Sequence, residues 1–75
     1  MTVLADLPVG ARARVSLVSG SDDLSMRLLE MGLTPGVEVA VVGMAPLGDP
    51  LELELRGYRL SVRRSEAARV EIHQL

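Results

Sequence analysis

The stretch Leu51-Glu52-Leu53-Glu54-Leu55-Arg56-Gly57-Tyr58-Arg59-Leu60-Ser61-Val62-Arg63 decides the fold. Apolar and polar residues alternate up to Arg56, break at Gly57, and alternate again from Tyr58. A period of two marks strands with one buried face. A tight hairpin centred on Arg56-Gly57 sets Leu53 against Leu60 and Leu51 against Val62 inside. The same register sets Glu54 against Arg59 outside. A slip of one residue would face apolar side chains with polar ones, so the register is strongly specified.

Upstream, Met44-Ala45-Pro46-Leu47-Gly48-Asp49-Pro50 is a loop that its prolines and glycine keep out of any ladder. Before it, residues 37–44 read as a strand with Val37, Val39 and Val41 inward. Thr34-Pro35-Gly36 places proline and glycine at the centre of a type II turn. The segment Ser21–Gly32 reads as a helix, capped by Ser21 or Asp22, with acids at the positive end of its dipole. Leu24, Leu28 and Met31 form one apolar stripe. Gly32 is the left-handed terminator, and Leu33 folds back on Leu28. Residues 13–18 give a first strand with Ala13, Val15 and Leu17 inward, under an apolar lid of Leu4, Leu7 and Val9. Downstream, Ser65 caps one helical turn, and residues 69–73 form a last strand with an edge that could pair between copies.

Five short strands, one real helix and a single helical turn imply a mainly β protein. A short sheet must close or be covered, and a small, partly open SH3-like barrel with the helix inserted after the first strand does both. An OB-fold is the competing architecture, but its helix usually falls later in the chain. The 75 residues make one domain, 1–75. A chain of this size buries roughly 60 % of its unfolded surface. It leaves no room for a doubly wound nucleotide domain. There is one aromatic residue, Tyr58, and the absence of cysteine removes any disulfide staple. The start Met1-Thr2-Val3-Leu4-Ala5-Asp6 is unlike a signal peptide, and no run approaches the ~20 apolar residues of a membrane span. A cytoplasmic protein with no direct membrane insertion is the expectation.

Catalytic constellations are missing. The only histidine, His73, sits near the end, and the chain contains no lysine. Glu52 and Glu54 share a strand face but have arginines across the hairpin, so an ion-pair ladder accounts for them. No enzyme and no cofactor are expected. Asp49, Glu71 and His73 could ligate metal, but no spacing unites them, so no metal site is assigned. Arg56, Arg59, Arg63 and Arg64 cluster at the hairpin. A net charge of −2 and a single aromatic nevertheless argue against nucleic acid as partner. Met26, Leu29 and Met31 cannot all join the helix stripe, and Pro46, Leu47 and Pro50 cannot all be buried. Such groups suit a protein-contact surface or a satellite of the core, and the sequence leaves both open.

The run Arg27-Leu28-Leu29-Glu30-Met31-Gly32-Leu33-Thr34-Pro35-Gly36 resembles the RLxxxGLxPG signature of the FeoA family. In order follow Ala45-Pro46-Leu47-Gly48-Asp49-Pro50, then Arg56-Gly57-Tyr58-Arg59-Leu60-Ser61-Val62-Arg63, then Glu66-Ala67, and Leu4-Ala5-Asp6-Leu7-Pro8-Val9-Gly10 fits the opening. Each piece alone is turn chemistry; four in order over nearly the whole chain are specific. The resemblance implies an SH3-like fold and a cytosolic accessory role in bacterial ferrous iron uptake. The implied partner is FeoB, a membrane transporter with a cytoplasmic GTPase domain. The contact surface expected on that partner comprises Arg27, Met31 and Leu33 at the helix end with Pro46, Leu47, Asp49 and Pro50 in the loop. An alternative makes the chain a GTPase-activating or nucleotide-exchange effector of that G domain, through an arginine. A metal-binding sensor or chaperone is a further alternative.

Overall fold

The computed structural model describes residues 2–75. Strands are β1 (Thr2–Val3), β2 (Arg12–Val18), β3 (Glu38–Met44), β4 (Leu51–Leu55), β5 (Tyr58–Val62) and β6 (Val70–Gln74). Helices are α1 (Asp23–Glu30) and α2 (Arg64–Ala67), with 3-10 turns at Leu4–Asp6 and Pro46–Gly48. All pairings are antiparallel, in the order β1-β6-β2-β3-β4-β5. The sheet is thus mainly β and curls into an open barrel. The 3-10 turn after β1 packs on α2 across the gap between β1 and β5.

Every hairpin pair read from the sequence is present: Leu53 faces Leu60, Leu51 faces Val62, and Glu54 faces Arg59. The turn is tight because Arg56 and Gly57 both adopt positive φ, 51° and 83°. Val37, Val39 and Val41 enter the core with Leu51, Leu53, Leu55 and Val62. Leu28 and Leu33 join them beneath α1. Val37 N–H donates to Thr34 O across the Pro35-Gly36 turn at 3.1 Å.

The sheet has six strands rather than five, and the helix follows the second, because Thr2–Val3 pairs with β6; four further expectations need correction. Leu17 does not face inward: a bulge between Val15 and Leu17 inserts one residue against β6. Parity therefore flips, Leu17 is half exposed, and Val18 is buried instead. Residues 69–73 are not an edge, because β6 lies between β1 and β2; the long free edge belongs to β5. The second helical turn is not capped by Ser65. It begins at Arg64, whose N–H donates to Asp49 Oδ1 at 3.0 Å, while Glu66 Oε1 accepts from Arg63 N–H at 2.8 Å. Carboxylates from a distant loop and from the third helical position do the capping. Val9, finally, is no lid. It is half exposed, while Leu4 and Leu7 are buried.

The turn from β2 into α1 is fastened to Arg69, the residue before β6, by a polar cluster. Asp22 caps α1, accepting from Ser25 N–H at 3.3 Å, and Ser25 Oγ donates to Ser19 O at 2.7 Å. Arg69 Nη1 reaches Asp22 Oδ1 at 2.6 Å. The Arg69 hydrogen bond, then the two from Ser25, lower the Asp22 carboxyl from 3.8 to about 2. A depressed carboxyl stabilises the fold above its unfolded value and loses that contribution as the pH falls through its folded one. Urea midpoints should therefore drop between about pH 4 and pH 2 more steeply in the wild type than in Asp22→Asn. Parallel curves for the two proteins would show that this contact carries no acid sensitivity.

Candidate functional site

Helix α1 and the 45–50 loop border one surface cleft, through Arg27 and Pro50. The last turn of α1 closes as a Schellman motif: Leu33 N–H donates to Leu28 O at 3.2 Å and Gly32 N–H to Leu29 O at 3.0 Å. Gly32 has φ +107°. Its missing Cβ makes room for Tyr58, whose hydroxyl donates to Met31 O. A Cβ there would sit on the Tyr58 oxygen. The one aromatic ring of the chain thus ties the hairpin to the helix end.

The loop is held more tightly. Gly48 N–H donates to Ala45 O at 2.9 Å, and Ala45 N–H to Pro50 O at 3.0 Å. Arg64 reaches in from α2, its Nε donating to Gly48 O at 3.1 Å and its Nη1 to Ala5 O at 2.6 Å. With Asp49 holding the Arg64 N–H, the loop is clamped from both sides. On this rigid arch Leu47 adopts φ 73°, ψ 7°, and its side chain is wholly exposed. A non-glycine residue in the left-handed region costs of order 1–2 kcal/mol. Leu47 therefore combines backbone strain with an unburied apolar side chain, neither of which helps the fold. Met44, also exposed, lies at the base of the same loop.

The seven proposed contact residues fare differently. Arg27 and Pro50 line one surface cleft, together with Ser61, Val62, Arg63 and Glu66. Pro46, Leu47 and Asp49 are exposed, although the Asp49 carboxylate is engaged by α2. Met31 is half-buried against the core. Leu33 must be withdrawn as a contact: it is fully buried, because the Schellman turn folds it under Leu28. The sequence reading missed Arg64 as the clamp. Its contact with Ala5 spans 59 positions, which no local pattern signals.

Among the described residues, no group of three or more His, Cys, Asp or Glu side chains could hold a metal ion. No described helix is long and apolar enough to cross a membrane.

A family model described as the FeoA domain matches residues 2–74. A fusion of Fe(2+) transport protein A with the Fe(2+) transporter FeoB, from Porphyromonas gingivalis, is 38 % identical over 69 residues, which are 92 % of this chain. The chain spans only 8 % of that relative's length. An FeoA-like protein from Clostridium acetobutylicum superposes with a TM-score of 0.92 at 33 % identity, covering 100 % of this chain and 91 % of the other. FeoA of Stenotrophomonas maltophilia, crystallised with zinc and described as a prokaryotic SH3 domain protein, gives 0.82 at 32 % identity over 97 % and 91 % of the chains.

The helix end yields a stability test. Gly32→Ala should cost about 2–4 kcal/mol, combining left-handed strain with a clash. In a Tyr58→Ala background the clash disappears and about 1–2 kcal/mol remains. Equal costs in both backgrounds, measured by urea unfolding, would contradict the close approach of Tyr58.

Proposed function

This chain belongs to the FeoA family, which is linked to ferrous iron transport, and we propose that it is a non-enzymatic accessory protein docking on the cytoplasmic side of FeoB. The observation that carries this reading is Leu47: an exposed leucine held at positive φ on a loop clamped by Arg64. Such a residue is pre-organised to enter an apolar pocket on a partner, with little ordering left to do on binding. Pro46 and Met44 extend the apolar area around it, and Arg27 and Pro50 border the neighbouring cleft. Covalent fusion of an FeoA unit to FeoB in the Porphyromonas gingivalis relative supports FeoB as the partner.

The second reading, an arginine donated to the G domain, narrows to two residues. Arg12, Arg27, Arg59 and Arg69 are ion-paired, while Arg14 and Arg64 donate to backbone carbonyls. Arg56 and Arg63 have no such side-chain partner among the described residues. Arg56, exposed at the hairpin tip with φ 51°, favours this alternative most.

Burying a leucine is worth about 1.5–3 kcal/mol, and each 1.4 kcal/mol is tenfold in affinity. Leu47→Gly removes the side chain and also relieves the strain. It should weaken binding to purified FeoB at least tenfold while keeping or raising the thermal midpoint. Unchanged affinity would remove Leu47 from the interface. GTP turnover by the FeoB G domain should stay unchanged at saturating protein; an increase abolished by Arg56→Ala would establish the arginine-donating reading instead.

A further inference from the structure

The β5 strand ends the sheet, and among the described residues no strand lies on its outer side. A two-residue turn makes Leu55 and Tyr58 a hydrogen-bonded pair, and antiparallel bonds then alternate along the ladder. Tyr58, Leu60 and Val62 consequently aim their N–H and C=O groups at β4, whereas Arg59 and Ser61 aim theirs outward. Among the described residues, no side chain takes up the outward N–H groups of Arg59 and Ser61. The next outward N–H belongs to Arg63, and it already donates to a carboxylate, Glu66 Oε1, at 2.8 Å. The edge is thus capped by an acid at one end and open for the two residues before it.

β5 itself carries no acid: its one charged residue is Arg59, and Arg63 follows the strand directly. Arg27 lines one cleft together with Ser61, Arg63 and Glu66. Three carboxylates lie beside or behind these arginines. Glu66 has one oxygen on Arg63 N–H and the other 4.0 Å from Arg27, and Glu54 pairs with Arg59 at 3.5 Å from one strand further in. Glu52 stands opposite Ser61 on that same inner strand. A second copy of this chain is a poor occupant: two β5 edges would set Arg59 and Arg63 of each on one short ladder, and like charges facing each other destabilise it.

We propose that the free edge of β5 is a strand-addition site for an extended, acidic segment of a partner protein, which pairs with the outward backbone of Arg59 and Ser61 and places carboxylates against Arg27 and Arg63. This surface borders the Leu47 loop, since Pro50 lines the same cleft, but Leu47 takes no part in it, and the pairing does not depend on FeoB being the partner. Backbone bonds supply affinity in such additions, and flanking side chains supply selectivity.

Two measurements test it. In the free protein, Arg59 and Ser61 amides should exchange with deuterium rapidly, while those of Tyr58, Leu60 and Val62 exchange slowly; equal protection along β5 would overturn the free edge. The peptide acetyl-Thr-Glu-Val-Glu-Val-Glu-Thr-amide, titrated into nitrogen-15-labelled protein, should shift amides of residues 59–63 and Arg27. Its lysine counterpart should shift none. Ser61→Pro removes one outward N–H and leaves the β4 ladder intact, so it should weaken peptide binding at least tenfold. Arg63→Glu should do the same by charge and serves if the proline variant does not fold. No shifts at millimolar peptide, equal binding of the two peptides, or wild-type affinity in folded Ser61→Pro or Arg63→Glu would refute the proposal.

Discussion

The Arg64 guanidinium bridges the one seam that the sheet leaves open. Among the described residues, no strand joins β1 to β5. Across that gap, Arg64 donates to Ala5 O in the turn after β1 and to Gly48 O in the loop before β4. Hydrogen bonds from a charged donor are worth about 1.5–3 kcal/mol, more than neutral ones. They also supply donors to two carbonyls that lie in 3-10 turns and outside any strand. Lysine, with a single ammonium at the end of a flexible stem, could not reach two divergent carbonyls in a fixed fork.

The same contact links the fold to its surface. Because Gly48 is held from α2, the loop before β4 cannot relax, and Leu47 stays in a backbone conformation that a free loop would abandon. The helix end shows a related economy. Gly32 removes a Cβ so that Tyr58 can reach Met31, and this fixes the hairpin against α1 beside the cleft that contains Arg27. Rigid presentation of exposed groups suits a binding module, since few degrees of freedom remain to be lost on association.

Most of the fold was legible because its decisive signals are local. Alternation and a two-residue turn specify the β4–β5 register, and Gly32 followed by Leu33 specifies the helix stop. The bulge in β2 was not legible: a strand with one extra residue shows the same composition as one without, and Val18 looks no more inward than Leu17 until β6 is placed beside it. The position of β6 in the middle of the sheet was hidden for the same reason, since a two-residue β1 carries almost no periodic signal. At the candidate site, the exposure of Pro46 and Leu47 followed from their loop. The burial of Leu33 follows from the Schellman turn, which was itself legible. Arg64 stood among four clustered arginines with nothing to single it out, and only the tertiary structure distinguishes it.

The most direct test of a docking role is to observe this protein's own amides as FeoB in nanodiscs is added to the isotope-labelled chain. The account predicts saturable binding, with signals of Ala45–Asp49 broadening first. Broadening that begins elsewhere and spares this loop, or an unchanged spectrum with FeoB in excess, would contradict it.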